Sequence, residues 1–387
     1  MKLVGMLVGE HFNHFQKSYT YCYANGSSYG GYMKTSVALA SYNGEKYIRE
    51  QLQSILDQTV LPDEIVISDD GSDDLTVKIV RDIISENQNK PVKIKLIHNN
   101  ESHGIVANFE NAIKNTEKEV IFLCDQDDIW FPNKIELILK VMEKHNAGVV
   151  CHNAQILKQN QSGAFEPIDQ YVMKSNSFAS DGCYSLGTNR NNLWSAFYSC
   201  FIQGMCLCAK REYLISLLPF SRGSVHDIWI EFCATADNQM IAYNEPLAYY
   251  RIHDSNALGL NKFSRKRSFI DRIRTFDTKG KDSLYKQYLW YKDTCAYLKQ
   301  KQITLNNPFV IKLADYFGNQ RLDCVKAGKT EGTIKLVKAY RSGAYRIDGR
   351  ILLLHDLYFL WRHSLKYRRK YISVIQKHQG STRSNAS

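Results

Sequence analysis

An apolar run of strand length, Ile121-Phe122-Leu123-Cys124, delivers Asp125, Gln126, Asp127 and Asp128, three carboxylates in four positions. Like charges this close raise one another's pKa unless a cation neutralises them. The cluster therefore has the make-up of a divalent-metal site, of a polyphosphate site working through that metal, or of both. A second reading is local: Pro132 stands where it would open a helix over residues 132–145, and carboxylates favour a helix start. Other polar clusters bear on the choice. Ser41-Tyr42-Asn43 and Asp69-Asp70-Gly71-Ser72 each follow an apolar strand-like run, and His226-Asp227 opens an apolar stretch of helical character. Neither GxGxxG nor GxxxxGK[ST] occurs, which leaves a dinucleotide dehydrogenase or a P-loop ATPase without support. The phosphate-handling signal is acidic, and carboxylates hold phosphate only through a cation, a task suited to Mg2+ or Mn2+.

The elements that must position these groups alternate regularly. Strands are expected at residues 36–40, 64–68, 93–97 and 120–124, with helices at 46–57, 74–87 and 105–114 between them. Alternation of this kind means an α/β fold whose sheet is parallel with right-handed crossovers. The carboxyl ends of parallel strands share one edge, so the polar clusters converge on a single crevice there. After a polar stretch over residues 159–192, a strand is expected at 201–209 and a helix at 211–218. A helix then starts at His226 with Asp227 in its first turn, and a strand over 246–252 ends at His253.

The chain has 387 residues, 44% of them hydrophobic, enough for a sizeable core. Residues 1–34 are rich in Tyr, Gly, Ser and Asn without periodicity, and read either as a loosely docked arm or as lying upstream of a true start at Met33. No run of about 18 apolar residues occurs and no basic-then-apolar leader opens the chain, so a cytoplasmic protein is expected. The ten cysteines include no CxxC pair and lie mostly in apolar runs, which predicts buried free thiols, with a cysteine metal site not expected. From residue 262 on, 28 Lys and Arg face nine Asp and Glu, a net +19, so residues 1–261 carry −8 of the chain's +11. The two parts should meet different partners.

Taken in order and spacing, Ser41-Tyr42-Asn43, Asp69-Asp70-Gly71-Ser72, the Asp-x-Asp of Asp125 and Asp127, and His226-Asp227 resemble family 2 nucleotide-sugar glycosyltransferases of GT-A fold, over about residues 36–260. The stretches Cys124 to Trp130, Gln203-Gly204, His226 to Trp229, and Glu245-Pro246-Leu247 through Tyr250-Arg251-Ile252-His253 are similar to the bacterial rhamnosyltransferase-like branch. The resemblance implies a Rossmann-like, mostly parallel sheet flanked by helices in a catalytic domain at 35–260. It implies inverting, metal-dependent transfer of one sugar from a nucleotide-diphosphate sugar to a hydroxyl of a cell-surface polysaccharide precursor. dTDP-rhamnose is the favoured donor and a UDP-hexose the alternative. Residue by residue, Asp227 is the implied base, Asp70 accepts from the donor nucleobase beside a backbone contact near Tyr42 and Asn43, Asp125 binds the ribose or a metal-bound water, and Asp127 with His253 holds Mn2+ or Mg2+. Gly204 lets backbone approach the donor sugar or acceptor, or else marks a strand bulge. Trp130 and Trp229 form an apolar wall for a sugar ring, or else belong to the core. Two departures stand out: the Gln-x-x-Arg-Trp signature of processive members is missing, favouring single-sugar transfer, and His-Asp replaces the Glu-Asp of many relatives.

The region 261–387 is basic and helical in pattern. Ile351 to Trp361 followed by Arg362, Lys366, Arg368, Arg369 and Lys370 suits an interfacial helix on an anionic membrane, where a lipid-linked glycan acceptor would sit, or equally a helix packed on the catalytic domain. No nucleic-acid recognition module accompanies these basic residues, so nucleic acid is not an expected partner. A non-catalytic RNA-binding or scaffold protein is the reading from a different class.

Overall fold

A computed structural model of the chain describes residues 33–100, 103–173, 181–186, 202–253, 256, 289–290, 292–301 and 321–341, with six single residues between 357 and 368. The N-terminal residues 1–32, the basic segment 265–274 and most of 350–370, on which the arm and membrane expectations fall, lie outside the described residues.

The first half alternates as expected: β1 (Thr35–Ser41), α1 (Ile48–Leu56), β2 (Glu64–Asp69), α2 (Thr76–Glu86), β3 (Lys93–His98), α3 (Ile105–Lys114) and β4 (Val120–Asp125). Every residue of β1 is buried, as suits a central strand covered on both faces. In α1 the buried residues Ile48, Gln51, Leu52, Ile55 and Leu56 recur at the spacing of one helix face. β5 (Ile129–Trp130), α4 (Lys134–His145), β6 (Val149–Gln159), β7 (Phe165–Tyr171), β8 (Cys183–Leu186), β9 (Leu207–Lys210), α5 (Arg211–Ser216), α6 (His226–Ala236) and β10 (Met240–Ile252) follow. Then come α7 (Arg321–Lys326) and α8 (Lys329–Arg341).

The strands form one 10-stranded sheet in the order β3-β2-β1-β4-β9-β6-β10-β5, with β7 beside β6 and β8 beside β10. Pairing is parallel across β3, β2, β1 and β4 and again between β6 and β10, while β9 runs antiparallel to both β4 and β6 and so joins the two parallel blocks. The α/β, mostly parallel architecture is therefore as expected.

Several boundaries differ from the sequence reading: β10 begins at Met240 rather than 246, α5 ends at Ser216 rather than 218, and β7 and β8 lie within the polar stretch 159–192, where the sequence reading places no strand; two further differences bear on the site. The strand expected over 201–209 is only Leu207–Lys210, because Gly204–Cys206 curl into a single 3₁₀ turn. Backbone groups there are spent on side chains of the site rather than on a ladder. The helix expected from Pro132 begins at Lys134, since the Pro132 carbonyl accepts from Thr59 N–H at 2.7 Å and Phe131 O from Lys134 N–H at 3.1 Å. In the basic region, Trp290 lies edge-on to Trp229 and Phe232 at 5.9 and 5.5 Å, and the Tyr297 hydroxyl donates to Asp237, so this part packs on α6.

Phe122 is fully buried in β4 with its ring 6.0 Å from Trp130 of β5, and so braces both flanks of the acidic segment. Phe122→Ala is expected to cost about 3–5 kcal/mol in urea unfolding.

Candidate functional site

Register levels the strand ends. Ala40 pairs with Asp125, Ser41 with Asp69, and Asp69 with His98, so Ser41, Asp69 and Asp125 come to one edge of the sheet as anticipated. The antiparallel partners bring in the rest. Phe122 stands opposite Cys208, so continuing that register places Met205 opposite Asp125. Trp130 stands opposite Ala248, which carries Arg251 to Asp127.

At the centre lies a buried, charged knot. Burial, then the charges of Asp127 and Asp227, push the Asp125 carboxyl up to about 8; the Lys134 ammonium and the Met205 backbone N–H work the other way. Asp128, 1% exposed, is pushed well up by burial and by Asp127 and Asp125, and keeps one carboxylate oxygen without a hydrogen bond. Lys134 is fully buried; its Nζ donates to Met205 O at 2.8 Å and sits 3.6 Å above the Trp130 ring, and burial lowers its pKa to about 8. Asp227, in the first turn of α6, is raised to about 6 by burial, opposed by the backbone N–H groups of Ile228 (2.8 Å), Asp227 itself and Gly204. One turn, Gly204–Cys206, thus serves Asp227, Asp125 and Lys134 through adjacent backbone groups.

Asp127 and His253 meet. His253 Nε2 lies 2.9 Å from Asp127 Oδ2, and Asn256 Nδ2 reaches the same oxygen at 3.4 Å and the same nitrogen at 3.2 Å. With Nε2 protonated this is a hydrogen bond; with it bare, two lone pairs converge on one point, the donor arrangement for a single cation. Arg251 fixes the segment from behind: its N–H donates to Asp128 Oδ1 (3.1 Å), its Nε to Asp127 O (2.9 Å) and its Nη2 to Glu50 (2.6 Å), with the guanidinium 4.8 Å from the rings of both Tyr47 and Phe165. The Tyr47 ring also lies against His253, 4.5 Å between centroids.

The two loops at the ends of β1 and β2 separate structural from available groups. Asp69 is spent within the turn, accepting from Ser41 and Ser72 hydroxyls and from the Gly71 and Ser72 N–H groups, a turn that Gly71 completes at φ +82°. Asp70 accepts from Asn99 (2.8 Å), the Gly104 N–H (2.7 Å) and His103 (3.2 Å), which ties it to the loop before α3 while His103 stays 77% exposed beside it. Tyr42 is 56% exposed, its backbone clamped by both ends of the Gln126 amide at 2.9 and 2.8 Å. Asn43, at φ +48°, gives its N–H to Ser72 and takes that of Asp73, so it holds the two loops together.

Gly204 is small for a reason the sequence did not show: a Cβ would come 2.6 Å from His226 Nε2, and the His226 ring is already stacked on Phe109 at 3.8 Å. His226 is buried and held neutral, its pKa lowered to about 3 by burial. Trp130 and Trp229, 2% and 5% exposed, are core residues, which settles their alternative against a sugar-facing wall. Lys134, Gln126, Arg251, Asn256 and His103 were not singled out for the site. Lys134 carried a signal: it shares the buried stripe of Ile138 and Val141, where a lysine is out of place, in a first turn whose dipole disfavours cations. The described free cysteines are all buried, as expected.

The family described as Glycosyl transferase family 2 matches residues 36–204. An uncharacterised glycosyltransferase of Nostoc sp. is 31% identical over 230 residues, covering 58% of this chain and 66% of that protein. The dTDP-rhamnosyl transferase RfbG of Shigella flexneri is 27% identical over 250 residues, 61% of this chain and 79% of that protein. The Escherichia coli protein WfgD, described as a UDP-Glc:alpha-D-GlcNAc-diphosphoundecaprenol beta-1,3-glucosyltransferase, is 31% identical over 125 residues, 32% of this chain and 47% of that protein.

Removing the buried ammonium leaves carboxylates and a carbonyl without their cation. Lys134→Met is expected to lower stability by about 3 kcal/mol in urea unfolding, and an unchanged midpoint would show that the acidic knot does not depend on it.

Proposed function

Because residues 36–204 are a family 2 glycosyltransferase domain, we propose that the chain is an inverting, metal-dependent transferase that moves one sugar from a nucleoside-diphosphate donor to a glycan hydroxyl. The observation that carries this reading is the meeting, at one sheet edge, of a buried carboxylate poised near neutrality, Asp227, with the acidic pair Asp125 and Asp127 and the His253 imidazole.

In this reading an acceptor hydroxyl attacks the anomeric carbon from the face opposite the diphosphate. The new C–O bond forms as the bond to the diphosphate breaks, and the hydroxyl proton passes to the Asp227 carboxylate, a transfer that contributes a factor of about 10²–10⁴. Burial raises Asp227 far enough to make it a competent base while leaving it ionised at neutral pH. Asp125, held by the Met205 N–H, would take the ribose or a metal-bound water. Asp70 with exposed His103 and Tyr42 would receive the nucleobase, while Asn43 and the Gly204 backbone keep the loops and Asp227 in place. The oxygen and nitrogen donors of Asp127 and His253 fit Mn2+ or Mg2+, as does the mutual repulsion that raises Asp125 and Asp128. Such a cation, when bound, offsets charge growing on the departing diphosphate.

dTDP-rhamnose is the donor we favour, supported by the likeness to RfbG over most of that protein's length; a UDP-hexose is the second reading, supported by the shorter likeness to WfgD. The acceptor we propose is a lipid-linked precursor of a surface polysaccharide, met by peripheral contact of the basic region with an anionic membrane. Exposed Ile334, Tyr340 and Trp361 beside Lys335, Lys338 and Arg341 support that contact. No helix among the described residues is long and apolar enough to cross a membrane.

A thermal-shift panel with dTDP, UDP, GDP and CMP, each with and without Mn2+, tests the donor assignment. A metal-dependent rise with one diphosphate is expected, about 2.7 kcal/mol at 100 times Kd, whereas no rise in folded protein would overturn the transferase reading. Asp127→Ala is expected to abolish the Mn2+ dependence of that shift. Asp227→Asn should lower kcat by at least about 10² with donor affinity intact. The kcat of the wild type should fall about tenfold per pH unit below about 6, where Asp227 gains its proton. The folded pKa lies above the unfolded one, so Asp227's contribution to stability is complete below its unfolded value and lost as pH rises through about 6. Asp227→Asn should accordingly be more stable than the wild type at pH 8 by up to about 3 kcal/mol, and less distinguishable at pH 4.

A further inference from the structure

Outside the acidic edge, a second set of donors converges. His145 is the last residue of α4, Cys183 the first of β8, and Asp181 stands in the bend between, which Gly182 makes at φ +72°. Cys183 Sγ, a carboxylate oxygen of Asp181 and an imidazole nitrogen of His145 all lie within 4.8 Å of one another. β8 pairs with β10, Cys183 opposite Tyr243, so the thiol is anchored to the sheet while His145 is anchored to a helix.

Three features point to a cation rather than to chance proximity. The Asp181 carboxylate is pre-set, because its Oδ1 accepts the Cys183 N–H at 3.1 Å, and Oδ2 lies 3.3 Å from His145 Nε2. That His145 nitrogen is shut off from solvent, yet no hydrogen bond joins it to the oxygen beside it. Ligands on one tetrahedral ion with metal–N and metal–O bonds of about 2.1 Å stand about 3.4 Å apart, the spacing seen here without a hydrogen bond. The Cys183 thiol is largely buried at the start of β8. The competing occupant is the Lys144 ammonium, 2.7 Å from Asp181 Oδ2 on a side chain 60% exposed. An exposed ion pair of that kind is worth at most about 1 kcal/mol and yields to a divalent ion.

We propose that His145, Asp181 and Cys183 form a transition-metal site of zinc class, with water as fourth ligand, that fastens the end of α4 to the start of β8. A nitrogen, oxygen and sulfur donor set selects a borderline-soft ion, whereas the harder Mg2+ and Ca2+ take oxygen ligands. The role is structural: an ion bound to the folded state alone stabilises it by mass action and closes the chain between residues 145 and 183.

The test uses the full chain, stripped of metal and carrying Asp127→Ala so that the donor-site cation is out of play, titrated with Co2+ and then Zn2+. Equimolar Co2+ should produce a thiolate-to-cobalt charge-transfer band that Zn2+ abolishes, and Zn2+ should raise the melting temperature. Adding Cys183→Ser, a one-atom change, should remove the band while the protein stays folded, and His145→Ala should weaken Zn2+ binding by about tenfold or more. Absence of the band, or its survival in the Cys183→Ser protein, overturns the proposal.

Discussion

A cluster of carboxyl groups packed together at one sheet edge is the constraint around which this fold is arranged. Asp128 and Asp227 are withdrawn from water at the end of a sheet and Asp125 is half-buried beside them, and each is costly there as an ion unless something nearby prefers it. What answers them is partly a cation and partly backbone. The Lys134 ammonium lies beneath the cluster, bonded to the Met205 carbonyl, and the N–H groups of Met205 and Gly204 are turned to Asp125 and Asp227. Because one 3₁₀ turn serves all three, Asp227, Asp125 and the Lys134 ammonium are mechanically one unit.

The topology follows from the same need. A purely parallel sheet would bring the ends of β1, β2 and β4 together but nothing to face them. The antiparallel β9 runs back past β4 and delivers the Gly204–Cys206 turn to Asp125, and β10, through Arg251, grips the main chain of Asp127 and the carboxylate of Asp128. Arg251 is itself held between Tyr47 and Phe165 and by Glu50, so α1, β7 and β10 all bear on the position of Asp127. Holding such groups by packed elements rather than by loops alone is what keeps catalytic geometry from relaxing.

Two neighbouring aspartates show how similar residues diverge in use. Asp69 has both oxygens consumed by its own turn and by Ser41, whereas Asp70 is tied to the next loop and lies beside exposed His103. The pair Asn43 and Gln126 does the analogous work across the crevice, one bridging the first two loops and the other clamping Tyr42 to the acidic segment.

Hydrophobic period, turn residues and the run of polar clusters after apolar strands were enough to read the α/β alternation and the shared edge of β1, β2 and β4, because these depend on local pattern, whereas Asp70, Asp125, Asp127, Asp227 and His253 were singled out as site candidates by the resemblance to family 2 glycosyltransferases. The lack of CxxC pairs and the apolar runs around the cysteines likewise announced the buried free thiols at the eight described cysteines. The tertiary structure alone decided that Gly204 is small to admit the His226 ring, that residues 204–206 turn rather than extend, that Trp130 and Trp229 face the core, and that Lys134 supports the acidic knot. It also decided that His145 meets Asp181 and Cys183. Each of these rests on strand register and on packing between segments far apart in the chain, and no local period encodes which buried group will find its partner across a sheet.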